Sequence, residues 1–270
     1  IAFVIGKICL GLRSDYLAIS TLLISGIIVS VIKHEEWLSR GVKNVIGLKR
    51  PAPYEVNLQN SEWFIKMIET IRFWGPTTKD IIISSSGIFV KLCFTVIFSI
   101  TLLILLYLSE RAVNSPWGRM MRAIRDNETA AKAMGKNIVK QQLNIFMIGS
   151  AIIGFAGAML VTYDGLFTPS SYQPLRYTFL IWVMVLLGGS GNNYGSILGG
   201  FVVWFIWIES APIALFLINF CTFFLEYNNP VKLHLIESVP YFRYLMMGVG
   251  LLLVMRYKPE GLLPEKKISF

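Results

Sequence analysis

From Gly87 to Leu108 the chain runs for about 22 residues with a single charge, Lys91. A helix of that length is about 33 Å long, enough to cross the ~30 Å hydrocarbon core of a bilayer. Further apolar runs cover Tyr16 to Ile32, Gln141 to Tyr163, Tyr177 to Gly189, Gly195 to about Ile208, and Pro240 to Tyr257. Residues 1–12 read as the tail of another span, cut short at Ile1, so the sequence is expected to be a fragment lacking its natural N-terminus. Charged residues make up 15% and hydrophobic ones 54%, where a soluble chain carries about a quarter charged residues. The fold class that follows is all-α: a polytopic helical bundle in a membrane, with residues 1–270 as one transmembrane domain.

The net charge of +9 does not call for nucleic acid. The basic residues lie in loops beside apolar runs, where orientation during insertion and anionic lipid headgroups account for them. Cys9, Cys93 and Cys221 are far apart in apolar surroundings and read as small buried hydrophobes. His34 and His234 lack ligand-spaced neighbours, so no metal site is expected. Residues 33–86 are expected to lie outside the cell. Within them, Ser61 to Trp74 carries a stripe of Phe64, Met67, Ile68 and Ile71, flanked by Trp63 and Trp74. That pattern predicts a helix lying either in the membrane interface or against the outer rim of the bundle.

Residues 109–140 form a polar, basic island between two apolar runs. Ser115-Pro116 is a helix-start signal, a capping hydroxyl followed by a residue with no N–H to satisfy. Asp126 or Asn127 can cap a second short helix, and Gly135 can end it in a left-handed turn. On that helix Asn127, Ala130, Ala131 and Met134 share one face, with small side chains for close approach and an adaptable apolar knob. Glu128 and Lys132 stand four apart in the favourable order on another face. The pattern suits a helix held by a partner protein.

Ser150, Gly154 and Ala158 recur every fourth residue, a ridge expected to pack against a neighbouring helix. Gly188, Gly189 and Gly191 interrupt a short apolar run around Ser190. Such a break is either a candidate translocation path or a plain turn between helices. Glu209 and Pro212 are expected at the outer end of the span that follows.

Several of these motifs resemble one family. Glu128, Ala130-Ala131 and Gly135 are similar to the Glu-Ala-Ala…Gly loop of ABC-importer membrane subunits. The run from Gly118-Arg119 through Ala123-Ile124-Arg125 to Gly135 resembles the permease of branched-chain amino-acid importers, LivM type. So do Gly154 to Ala158, Gly188 to Gly191, Gly195 with Gly199, Pro259 to Leu263, and Gly11 to Leu22. A family Thr-Gly-Gly element is replaced here by Ser39-Arg40-Gly41-Val42-Lys43, and residues 211–239 read as an insertion whose apolar part, Ile213 to Leu225, lies along or re-enters the membrane.

The resemblance implies two five-helix halves of inverted topology, the first truncated here. It implies a coupling helix built on Arg125, Asn127, Glu128, Ala130, Ala131, Met134 and Gly135. The implied partners are a second permease subunit, two cytoplasmic ATP-binding subunits that carry ATP and Mg, and an external substrate-binding protein. The implied setting is the lipid bilayer of a bacterial cytoplasmic (inner) membrane, and the substrates are leucine, isoleucine, valine or similar amino acids. The chain itself has no phosphate-binding Gly-xxxx-Gly-Lys-[Ser/Thr] loop, since Gly135-Lys136 is followed by Asn137. It is therefore expected to be a transport subunit without a cofactor, not an enzyme.

Two other classes stay open at this level. An ion-coupled secondary transporter would place a carboxylate in a span, with Glu209 as its candidate. A rhomboid-type protease would use Ser190 of the Gly-Gly-Ser-Gly run, and needs a histidine base that no span supplies.

The basic island and the basic tail, 258–270, place both in the cytoplasm. Cysteines substituted at Lys136 and Lys266 should resist a membrane-impermeant thiol reagent in intact cells, and one at Asn57 should react. The reverse labelling pattern would invert this topology.

Overall fold

A computed structural model describes the chain except for Arg13, Arg40, Val42 and residues 72–77, 170–173, 225–228 and 266–270. Trp74, Arg40 and Val42 of the Thr-Gly-Gly counterpart, and Lys266 with Lys267 thus lie outside the described residues. The chain, read above as one domain, divides into two compact units, Ile1–Tyr172 and Gln173–Phe270. Among the described residues, five helices are long and apolar enough to cross a membrane, so this is a multi-pass membrane protein.

The first unit contains α1 (Ala2–Cys9), α2 (Ser14–His34), α3 (Glu36–Ser39), β1 (Val45–Ile46), α4 (Glu55–Gln59), α5 (Glu62–Ile71) and α6 (Lys79–Asn114). It continues with α7 (Pro116–Asp126), α8 (Glu128–Ala133), α9 (Ile138–Asp164) and β2 (Leu166–Phe167). The 36 residues of α6 make a helix about 54 Å long, extending past both expected ends of the span. Its N-terminal extension takes in Ser84 to Ser86, polar residues assigned above to the external segment. Ser86 is fully buried yet satisfied: its hydroxyl donates to the Ile83 carbonyl at 2.8 Å and accepts from the Gln59 amide at 3.1 Å.

That contact seats α4 and α5 on α6. Leu58, Phe64 and Ile68 are buried with Val90 and Phe94, and Phe64 meets Phe89 edge-on at 5.5 Å. The amphipathic stretch thus packs its Phe64 and Ile68 stripe onto α6. At one end of the unit, β1 pairs antiparallel with β2, Val45 opposite Phe167. Beside them Gly165, at φ 65°, closes α9, and the Arg50 guanidinium packs on it where any Cβ would sit. Arg50 also lies over the Tyr54 ring at 4.3 Å and pairs with Glu55 at 3.4 Å. At the other end, α1 packs on α9 through Gly6, where a Cβ would come within 2.6 Å of Leu143.

The second unit is α10 (Pro174–Gly188), α11 (Asn193–Cys221), α12 (Pro230–Glu237) and α13 (Val239–Tyr257). The span expected to stop near Ile208 is α11, which continues through Glu209 and Pro212 to Cys221. Ser210 and Ala214 are buried on either side of the proline, and this packing carries the helix across a residue that costs about 3 kcal/mol in a helix interior. Ile213 to Cys221 therefore continues the α11 helix and does not form a separate re-entrant segment, while Leu225, the end of the apolar part read from the sequence, lies outside the described residues. Leu180, Val183, Leu187, Val203, Trp207 and Met247 form the core of this unit.

The closest helix approach falls on glycines other than the expected ridge. A Cβ on Gly199 would strike the Met184 carbonyl and come within 2.8 Å of the Gly188 nitrogen. Gly154, by contrast, has nothing within 4 Å of its Cβ position, and Gly154 and Ala158 are exposed. Among the described residues, then, Gly154 has no neighbour at its Cβ position, whereas Gly199 stands directly against α10. Overpacking costs about 1–3 kcal/mol. Gly199→Leu should therefore lower the thermal midpoint of the detergent-extracted chain by several degrees, and Gly154→Leu should leave it unchanged. Equal midpoints for the two variants would remove this packing assignment.

Candidate functional site

The basic island is a small structure with a cap at every helix start. The Ser115 hydroxyl accepts from the Gly118 N–H at 3.3 Å, with Pro116 as the first helical residue of α7. Gly118 itself is required by space, since a Cβ there would strike the carbonyls of Ala112 and Val113. Asn127, one of the two capping candidates, accepts from the Ala130 N–H at 2.9 Å and starts α8. Asn137 accepts from the Lys140 N–H at 3.1 Å and starts α9.

Gly135 adopts φ 75°, with its N–H donating to Lys132 and that of Lys136 to Ala131. Nothing lies within 4 Å of its Cβ position, so this glycine is needed for its backbone angle and not for room.

Within this frame the candidate residues divide between three directions. Asn127, Ala130 and Met134 are exposed, Met134 to 80%. Ala131, expected on the same outward face, is buried between Ile124 of α7 and Ile138 of α9, with Met120 and Met121 alongside. The reason is geometric: Ala131 lies about 100° around the helix from Ala130, and that side of the six-residue α8 is the one turned onto Ile124 and Ile138. Its small size serves the island's own packing. Glu128 and Lys132 turn a third way, toward a cavity between the island and the α1–α2 turn. Arg125 is exposed and pairs with Asp126 at 3.0 Å, a contact that solvent makes weak.

The glycine break is a turn between α10 and α11. Gly189 and Gly191 have φ of 118° and 99°, and Asn192 caps α11 by accepting from Tyr194 and Gly195. The chain after α13 lies over this turn. Leu262 and Leu263 donate to the carbonyls of Leu187 and Gly188, each at 2.9 Å, and Asn192 donates to Pro264 at 3.2 Å. A Cβ on Gly189 would strike the Leu263 carbonyl. Two stretches far apart in sequence, Gly188 to Gly191 and Pro259 to Leu263, are thus one packed element. Ser190 is exposed and, among the described residues, no histidine bonds to it.

Arg243 was not singled out from the sequence, although a lone charge inside the last apolar run was the available signal. It is half-buried, with its guanidinium 5.5 Å from the centre of the Trp207 ring. Glu209 is half-buried on α11. No group of three His, Cys, Asp or Glu side chains among the described residues could hold a metal ion.

A family model described as "Branched-chain amino acid transport system / permease component" matches residues 1–255. The chain is 34% identical over 197 residues to a probable branched-chain amino acid transport permease protein LivM of Methanocaldococcus jannaschii, covering 73% of this chain and 53% of that protein. It is 25% identical over 262 residues to the high-affinity branched-chain amino acid transport system permease protein LivM of Escherichia coli, covering 97% of this chain and 54% of that one. A shorter similarity, 29% over 91 residues, joins it to the fructose import permease protein FrcC of Rhizobium meliloti, covering 32% of this chain and 25% of that protein. The chain spans about half the length of the curated branched-chain relatives it matches. No solved structure matches it.

Proposed function

The chain belongs to the branched-chain amino acid transport permease family, and from that premise we propose that it is the membrane subunit of an ATP-driven importer for leucine, isoleucine, valine or similar amino acids. The observation that carries the coupling half of this reading is the island. It is capped, packed on itself, and leaves Asn127, Ala130 and Met134 exposed on one face. An apolar knob 80% exposed beside small side chains is a surface suited to a partner's groove.

Transport against a gradient needs an energy source, and the sequence holds no phosphate-binding loop of its own. In this reading ATP and Mg act on two cytoplasmic ATP-binding subunits, and an external binding protein delivers substrate. A second permease subunit completes the pathway, in the bacterial cytoplasmic (inner) membrane. ATP closes the pair of ATPase subunits, the docked face of α8 moves with its groove, and α6 and α9, joined through the island, re-orient with it. The stiffness of the relay comes from Ala131, Ile124 and Ile138, which fasten α8 to both neighbours. The similarity to a sugar importer's permease over part of the chain fits a scaffold whose substrate is chosen by the binding protein.

The test is ATP-dependent uptake of labelled leucine by the assembled importer in proteoliposomes. Ala130→Arg puts a long charge on the outward face, and Gly135→Val forces a β-branched residue to a positive φ. Each should lower uptake about ten-fold or more, the equivalent of about 1.4 kcal/mol in coupling, with normal insertion and assembly. Ala131→Arg should instead reduce the amount of folded subunit. Wild-type uptake by correctly assembled Ala130→Arg would exclude this face as the coupling surface.

A further inference from the structure

The cavity beside the island has a composition that the coupling role leaves unexplained. It is a half-open cleft of about 520 Å³ between α8, the start of α9 and the α1–α2 turn, with Glu128 and Lys132 exposed at its mouth and a volume within the size range of small-molecule sites. Its walls are largely apolar: Leu12, Leu17, Met121, Ile145 and Phe146. Among the described residues, three polar side chains also line it, Glu128, Lys132 and Gln142. Glu128 and Lys132 stand one helical turn apart and, among the described residues, no ion pair joins them.

An apolar cavity with one carboxylate, one ammonium and one amide is complementary to a particular ligand chemistry. The carboxylate accepts from a ligand ammonium, the lysine and the amide donate to a ligand carboxylate, and the aliphatic walls take a branched hydrocarbon side chain. We propose that this cavity binds a free aliphatic α-amino acid, reached from the island's side of the membrane. The choice of ligand rests on the transport reading, while the chemistry of the walls stands on its own. A singly charged anion such as a lipid headgroup would leave Glu128 facing like charge, a juxtaposition that costs affinity. An amino acid satisfies both charges at once. The site lies on the side to which the importer delivers substrate, so it samples the imported pool.

The probe is labelled L-leucine, bound at equilibrium to the purified full chain in lipid nanodiscs without the binding protein. Saturable binding is expected. Lys132→Met removes the cation on an exposed position outside the coupling face, and Leu17→Trp fills the cavity from the wall opposite the island. Each should weaken binding about ten-fold or more, as expected for loss of a charge-assisted contact. N-acetyl-leucine, which keeps the carboxylate and side chain but lacks the ammonium, should compete at least ten-fold less well than leucine. No saturable binding to the wild-type chain overturns the proposal. So does undiminished binding to both variants, which would place the leucine elsewhere, and so does N-acetyl-leucine competing as well as leucine, which would mark a general anion site. ATP-driven uptake into leucine-free vesicles, measured in parallel, tests the transport reading separately: uptake without cavity binding sinks only this proposal.

Discussion

A segment that crosses a bilayer must satisfy its backbone N–H and C=O groups within itself, because lipid offers them no partner. Nearly every irregular feature of this chain obeys that constraint by sitting at a helix end. The β1–β2 pair and Gly165 lie at one end of α9, and the capped island lies at the other. In the second unit the glycine turn between α10 and α11 has its carbonyls taken by Leu262 and Leu263. Among the described residues the interior exception is Pro212, where buried Ser210 and Ala214 hold α11 together. What can vary in such a protein is therefore concentrated in short elements outside the hydrocarbon.

That concentration explains how a helix of six residues can have a defined direction. An isolated helix so short does not form in water. Here Asn127 supplies the donor-satisfying start, Gly135 the stop, and Ala131 the attachment to α7 and α9. The attachment uses the inward side, and so the outward side is left with Asn127, Ala130 and Met134. A face presented in this way can pass a displacement to both flanking helices, which a tethered but unpacked helix could not.

Local chemistry was legible in the sequence. Ser115, Asn127 and Gly135 act as read because capping and left-handed turns depend on one or two residues and their immediate neighbours. What was not legible depends on where other helices lie. Gly154 and Gly199 both sit in patterns of small residues four apart, yet among the described residues Gly199 has a helix against it and Gly154 has none. Ala131 and Ala130 are adjacent alanines, and only the folded island separates inward from outward. Ser86 read as loop because its polar partner, Gln59, is remote in sequence. Pro212 read as a helix end because the burial that overrides it belongs to the packing around α11.

The central claim is that the island folds on itself and offers one face to a partner. Cysteine reactivity at two positions, in a background lacking Cys9, Cys93 and Cys221, tests it most directly. Met134→Cys should react quickly with a maleimide in the purified chain and become protected when the ATP-binding subunits assemble on it. Ala131→Cys should react slowly in both states. A Met134→Cys thiol equally reactive before and after assembly, or an Ala131→Cys thiol that is open in the chain and protected only by assembly, would contradict the account.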